Sequence, residues 1–188
     1  IEIFDGDANL IDLQMILNDV NGTAGTANPG NGGGLHVTSN TSDVTINGII
    51  FLNTAASEGG GLWNNGGTMN IVGGGAIFAN TFIDTNTASG ADATNGGGGI
   101  FNNGGTLTVA SGTNIVNNVA DGAAGSGGGI HSTGGMLTID GTIITGNQAV
   151  RAGGGIEIAG GDLTMTGVTL NTNDAGVALG ANPGNGGG

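Results

Sequence analysis

Apolar and polar positions recur in a fixed order along this chain. A run of glycines is followed by one aliphatic residue, then a short aliphatic-polar-aliphatic stretch, then the signature aliphatic-x-x-Asn-x-Ala; residues 127–149, GGGIHSTGGMLTIDGTIITGNQA, are the clearest copy. The middle stretch reads Val44-Thr45-Ile46, Met69-Asn70-Ile71, Leu107-Thr108-Val109, Leu137-Thr138-Ile139 and Leu163-Thr164-Met165 in successive copies. Strict alternation over so few residues predicts short strands with the aliphatic residues facing inward and Thr or Asn facing out.

The spacing of the copies predicts how these strands are assembled. Glycine runs end at Gly34, Gly61, Gly99, Gly129, Gly155 and Gly188, and the signature Asn falls at Asn53, Asn86, Asn118, Asn147 and Asn173. From last glycine to Asn the distances are 19, 25, 19, 18 and 18 residues, the long one holding an insertion at residues 73–80 (GGGAIFAN). From the following Ala to the next final glycine they are 6, 11, 9, 6 and 13, so the remaining length variation sits in one loop. Constant walls with one variable corner are solenoid behaviour. Units of this length with two or three strands each predict one turn of a parallel β-helix. Neighbouring turns would be hydrogen-bonded about 4.8 Å apart, for about six turns and a rod of roughly 30 Å. Leu35, Leu62, Ile100, Ile130 and Ile156 are expected to stack as an internal aliphatic ladder, and Asn53, Asn86, Asn118, Asn147 and Asn173 as an Asn ladder in which each amide bonds the next.

Residues 1–22 differ from this pattern. Leu10, Leu13, Ile16, Leu17 and Val20 fall at helical spacing, with Asn9 placed to cap the start and Gly22 the end, which predicts a short amphipathic helix; one more strand-rich coil is the competing reading. Residues 1–22 are therefore taken as an N-terminal cap and 23–188 as the repeat array. The echo of residues 26–34 (TANPGNGGG) as ANPGNGGG at 181–188 suggests that the array continues past 188 or docks its open end on another molecule.

Composition narrows the function classes. Glycine takes 45 of the 188 positions, and Cys and Tyr are absent, which leaves no disulfide and no thiolate metal site. One basic residue, Arg151, stands against fourteen carboxylates, for a formal net charge of −13. Such a chain repels nucleic-acid phosphates and anionic lipid. No apolar run approaches the roughly 20 residues of a bilayer-spanning helix, so no membrane insertion by this segment is expected. The Gly-, Asn- and Thr-rich, nearly Lys-free composition suits an exported, extracellular bacterial protein.

These repeats resemble right-handed parallel β-helix repeat proteins of the exported bacterial kind, in particular polymorphic outer-membrane and autotransporter-like passengers. Those proteins carry GGA-aliphatic and FxxN repeats; here GGG-aliphatic and Ile/Leu-x-x-Asn stand in their place over residues 30–188. The resemblance implies a right-handed all-β solenoid, a helix plugging its N-terminal end, and a cell-surface structural or adhesive role. Its partners would then be other copies along the rod axis, or surface glycans and proteins.

Candidate chemistry is sparse. Polysaccharide lyases of this shape need a base and cationic substrate holders, and the chain offers Arg151 and no Lys. Hydrolases need carboxylates at catalytic separation, and the fourteen here are dispersed. A polysaccharide-binding or polysaccharide-degrading protein is the alternative to a non-catalytic module. His36, Trp63, Phe101, His131 and Glu157 share one outward repeat position. Exposed, this column would be a contact strip; roofed by the variable loop, it would be packing. Asp5, Asp7, Asn9 and Asp12 in DGDANLID alternate as calcium-loop ligands do and match part of a dockerin-like DGxxNxxDL pattern. Capping by Asn9 or Asp12 accounts for the same residues.

Overall fold

A computed structural model describes residues 1–22, 30–176 and 185–188. Residues 26–29 and 181–184 of the two segments that echo each other, 26–34 and 181–188, lie outside the described residues.

The described residues contain strands and no helix. Every strand pairing is parallel, gathered in a 14-stranded and a 6-stranded sheet. The structure is a parallel β-solenoid, and its turns stack in the register the repeats imply. On the first wall Leu35–Val37 pairs with Leu62–Asn64, which pairs with the start of Ile100–Val109; that strand pairs with Ile130–Asp140, and Ile156–Ile158 follows. On the second wall Val44, Met69, Leu107, Leu137 and Leu163 are successive partners. On the third they are Met15, Ile50, Ile83, Ile115, Ile144 and Leu170. A fourth, two-residue wall stacks Val20, Ala55, Ala88, Ala120, Ala149 and Ala175.

The inward rows form one continuous core that includes Leu35, Ile46, Ile83, Leu107, Ile115 and Leu137, all without solvent exposure. Each such aliphatic side chain, fully buried, stabilises by about 1.5–3 kcal/mol.

The expected N-terminal helix is absent: Ala8–Ile16 is a strand paired in parallel with Asp43–Phe51. Ala8, Leu10, Leu13 and Met15 point into the core, while Ile16 and Leu17 are exposed. The register shifts between Leu10 and Leu13, so that Ile11 and Asp12 together oppose Asn47. A bulge of one extra residue converts two short period-2 runs into an apparent i, i+3 spacing, which is why the stretch reads as helical. Residues 1–22 are thus the first coil of the solenoid, and Asn9 lies in a strand beside Thr45 instead of capping a helix.

The corner between the third and fourth walls repeats in every turn. The residue before the ladder Asn is left-handed each time: Leu17, Leu52, Thr85, Asn117, Gly146 and Thr172, with φ between 49° and 67°. Five of these six are not glycine, although the left-handed region disfavours a Cβ. The Asn that follows compensates. Asn118 accepts at Oδ1 from the backbone N and the Nδ2 of Asn86 (both 2.9 Å). It donates from Nδ2 to the Ile83 carbonyl (2.9 Å) and to Asn147 Oδ1 (3.0 Å). Asn53, Asn86 and Asn147 repeat this geometry, and Asn173 receives its end. Asn18 is a further rung, donating to Asn53 Oδ1 at 2.7 Å.

Replacing Asn118 by Ala strands several buried polar groups, each costing about 1–3 kcal/mol. The Asn118→Ala chain should therefore lose at least about 3 kcal/mol in urea unfolding. Asn173→Ala, at the more exposed end of the ladder, should lose clearly less; equal losses would contradict the ladder as the source of the effect.

Candidate functional site

Strand registry places the sequence-singled column together. Glu2, His36, Trp63, Phe101, His131 and Glu157 are successive partners along the first wall. His36 meets Trp63 edge-on with ring centroids 4.3 Å apart, and Phe101 meets His131 likewise at 5.1 Å. As an exposed contact strip the column fails: Trp63, Phe101 and His131 are 7%, 2% and 0% exposed, and His36 and Glu157 are half-buried. The column is an outer hydrophobic layer under a roof of loops.

Polar contacts fasten that roof. Glu58, from the loop after Ala55, accepts from Trp63 Nε1 (2.9 Å) with one oxygen and from Asn95 Nδ2 (2.8 Å) with the other. This ties two successive loops to the same indole. Arg151 reaches from a third loop, donating from Nη2 to the Ala93 carbonyl and to Glu157 Oε1, both at 3.2 Å. The chain's one basic side chain therefore closes the roof and pairs the carboxylate at the end of the column. The loops also stack on one another through backbone bonds such as Gly90 to Ser57 and Ser126 to Asn95.

Burial shapes the titration of these groups. Desolvation raises the Glu58 pKa, against the lowering effect of its bonds from Trp63 and Asn95. Desolvation lowers that of His36, with Glu2 pulling the other way. For His131 desolvation dominates, the Asn95 backbone opposes it, Arg151 adds to it, and the value falls to about 4. Neither ring nitrogen of His131 makes a hydrogen bond of good geometry among the described residues, so the backbone of Asn95 is a weak partner and the ring is held neutral.

The acidic N-terminal residues do not converge. Asp5 Oδ1 accepts from the Gly6 N–H and from the Ser39 and Thr41 hydroxyls. Asp7 Oδ1 accepts from the Asp43 N–H, and Asn9 stands outward in its strand. Asp12 is at the next corner, where its carboxylate accepts from the N–H groups of Ala76, Ile77 and Phe78 at 2.9–3.1 Å. Those donors, Phe78 first, lower its pKa. The insertion at 73–80 thus folds back across the second turn to the first, and Asn47 between them binds the Val72 and Phe78 carbonyls and the Thr81 hydroxyl. The calcium expectation loses its geometry here: Asp5 and Asp7 are engaged by the 39–43 segment, Asp12 by the insertion, and no metal-competent cluster of three or more His, Cys, Asp or Glu occurs among the described residues.

A second amide row escaped the sequence reading. Asn64 and Asn102 point inward, fully buried, with Asn64 Nδ2 donating to Asn102 Oδ1 (2.9 Å) and Asn102 Nδ2 to Ser132 Oγ (3.2 Å). Each Asn also closes its own turn by bonding the Gly67 or Gly105 carbonyl. The signal was present as Asn64-Asn65-Gly66-Gly67, Asn102-Asn103-Gly104-Gly105 and Ser132-Thr133-Gly134-Gly135. Asn18 was legible too, in Met15-x-x-Asn18-x-Val20, where Met and Val replace the usual Ile and Ala.

Compared with family models, curated proteins and solved structures, the chain matches none of them.

Because the His131 pKa is lower in the folded than in the unfolded chain (about 6.5), unfolding takes up a proton between these values. Its contribution to stability is full above pH 6.5 and is lost as pH falls toward 4, by about 3 kcal/mol in total. Glu58, raised by burial, acts with the opposite sign over its own range. Urea midpoints measured from pH 7 down to 4 should fall, and His131→Phe should flatten that fall; an unchanged slope would remove His131 as its cause. Arg151→Ala should speed amide exchange of residues 93–95, with little change in the ladder amides.

Proposed function

We propose that the chain is a secreted or cell-surface β-helix module, structural or adhesive and without catalysis of its own, such as a passenger stalk or a segment of an extracellular fibre. We take its hand as right-handed, the sense of nearly all parallel β crossovers, and its kinship as lying with the autotransporter-like passenger repeats that its GGG-aliphatic and Ile/Leu-x-x-Asn motifs resemble. The observation that carries the reading is the continuity of the amide ladder from Asn18 to Asn173. Every rung joins one turn to the next, so load along or across the rod is shared by strand pairing, buried amides and the aliphatic core together. The roofed column adds to this, since its aromatic area strengthens the wall. Adhesion, where it occurs, falls to the outer faces and loop tips, with neighbouring surface glycans or proteins as partners.

Pulling the chain between its termini in an optical trap should give few, large unfolding steps, and Asn118→Ala should lower their force. A smooth low-force extension would refute a load-bearing role. The same protein on a glycan array, and incubated with pectin-like and alginate-like polymers, addresses the alternative. Saturable binding would favour a carbohydrate binder, and chain cleavage an enzyme.

A further inference from the structure

Residues 89–96 form part of the roof over the aromatic column, and side chains from the neighbouring loops hold them. Ala91 to Thr94 are exposed. Among the described residues the backbone of 91–94 makes one bond outside the segment, accepted by the Ala93 carbonyl from Arg151 Nη2. Its other bonds run between Asp92 and Asn95 and close a turn. At the root Ser89 Oγ donates to Asp121 Oδ1 (2.7 Å), and at the far end Asn95 Nδ2 donates to Glu58. Under the roof Trp63, Phe101 and His131 are successive partners. His131 is fully buried and edge-on to Phe101. The Asn95 backbone is its near polar neighbour, and neither ring nitrogen is well bonded.

We propose that residues 89–96 are an acid-released lid: protonation of His131 detaches the segment and uncovers Trp63, Phe101 and His131 as one aromatic row, while the solenoid beneath stays folded. A proton on this ring creates a second cation under the roof that Arg151 closes, with both N–H groups unpaired in a dry interior, and water is what relieves such a charge. The lid is the least costly way in. Its tip hangs on one guanidinium bond and, through Asn95, one carboxylate bond, whereas moving the column would break strand pairing. The carboxylates around the ring are already engaged. Glu157, its neighbour in register, is paired with Arg151, Glu58 with Trp63 and Asn95, and Asp121 with Ser89; Asp92 stands on the exposed tip. Burial sets the sign. His131 is held at about 4 under the closed lid against about 6.5 in the open, so closure is at full strength above pH 6.5 and weakens as pH falls toward 4. Glu58 opposes this, because burial raises its pKa and protonation favours its buried form, but the larger shift is that of His131.

Trp63 is the chain's one tryptophan, so acrylamide quenching of its fluorescence in the intact chain reads the lid directly. Acidification from pH 7 to pH 4 should make Trp63 markedly more accessible. Over the same range, exchange of the Trp63 indole N–H and the Ser126 amide, the donors to Glu58 and to the Asn95 carbonyl, should accelerate by up to roughly 100-fold after correction for intrinsic rates. The amides of Asn86, Asn118 and Asn147 should keep their protection. His131→Phe gives this rung the ring that Phe101 gives the one before and should abolish both changes, while Asp140→Asn on the second wall should leave them. In the unaltered chain the His131 ring signals should titrate together with the Trp63 response. Acid changes that persist in His131→Phe, ladder amides that open in step with the lid, a Trp63 that stays shielded to pH 4, or a ring that titrates apart from it would each overturn the proposal.

Discussion

The structure depends on one buried contact, the side-chain amide of an Asn that bonds the same amide one turn away. Parallel strands alone tolerate sliding, because their backbone bonds are nearly equivalent from residue to residue. An amide fixed by four partners, as Asn118 is, cannot shift by one position without leaving polar groups unsatisfied in a dry interior. Register is thus locked once per turn, and the walls on either side inherit it. The left-handed residue before each Asn is the local cost. It recurs at Leu52, Thr85 and Asn117 without glycine because the bonds that follow offset it.

From this constraint the division of labour among faces follows. Inside, aliphatic rows supply most of the stabilisation. On the first wall the outward row is aromatic and would be exposed were it not for the loops, so Glu58, Asn95 and Arg151 become fasteners of a second layer. The insertion after Val72 is handled the same way, its N–H groups gathered by Asp12 from two turns away. Polar side chains in this protein are thus spent on holding chain segments together. The carboxylates of this chain are dispersed and its single guanidinium is engaged by Glu157 and the Ala93 carbonyl.

Much of the architecture was legible because a solenoid writes its register into the sequence. The five Asn at Asn53 to Asn173, the aliphatic row from Leu35 to Ile156 and the Leu-Thr-Ile strands all stack as their spacing predicts. One rung and one row carried their signal in a form blurred by substitution: Asn18 beside Met15 and Val20, and the Asn64–Asn102–Ser132 row through its change to Ser. The first coil was hidden by arithmetic, since the bulge at Ile11 and Asp12 shifts the phase of an alternating pattern until it imitates a helix. A run of residues carries no mark of which neighbour it will pair with, and here the exposed edge of Asp43–Phe51 decided it.

For the candidate site the balance is reversed. Sequence determined that His36, Trp63, Phe101, His131 and Glu157 share one column, because column membership is only a matter of counting from the glycine run. It also determined that Arg151 would have many carboxylates to choose from and that the molecule would be strongly acidic. Tertiary structure alone decided that the column is roofed, that Arg151 chooses Glu157, and that Asp5, Asp7, Asn9 and Asp12 part company. The physical reason is that repeat position sets direction, inward or outward, whereas burial of an outward residue depends on loops that vary in length from turn to turn and close only through contacts distant in sequence.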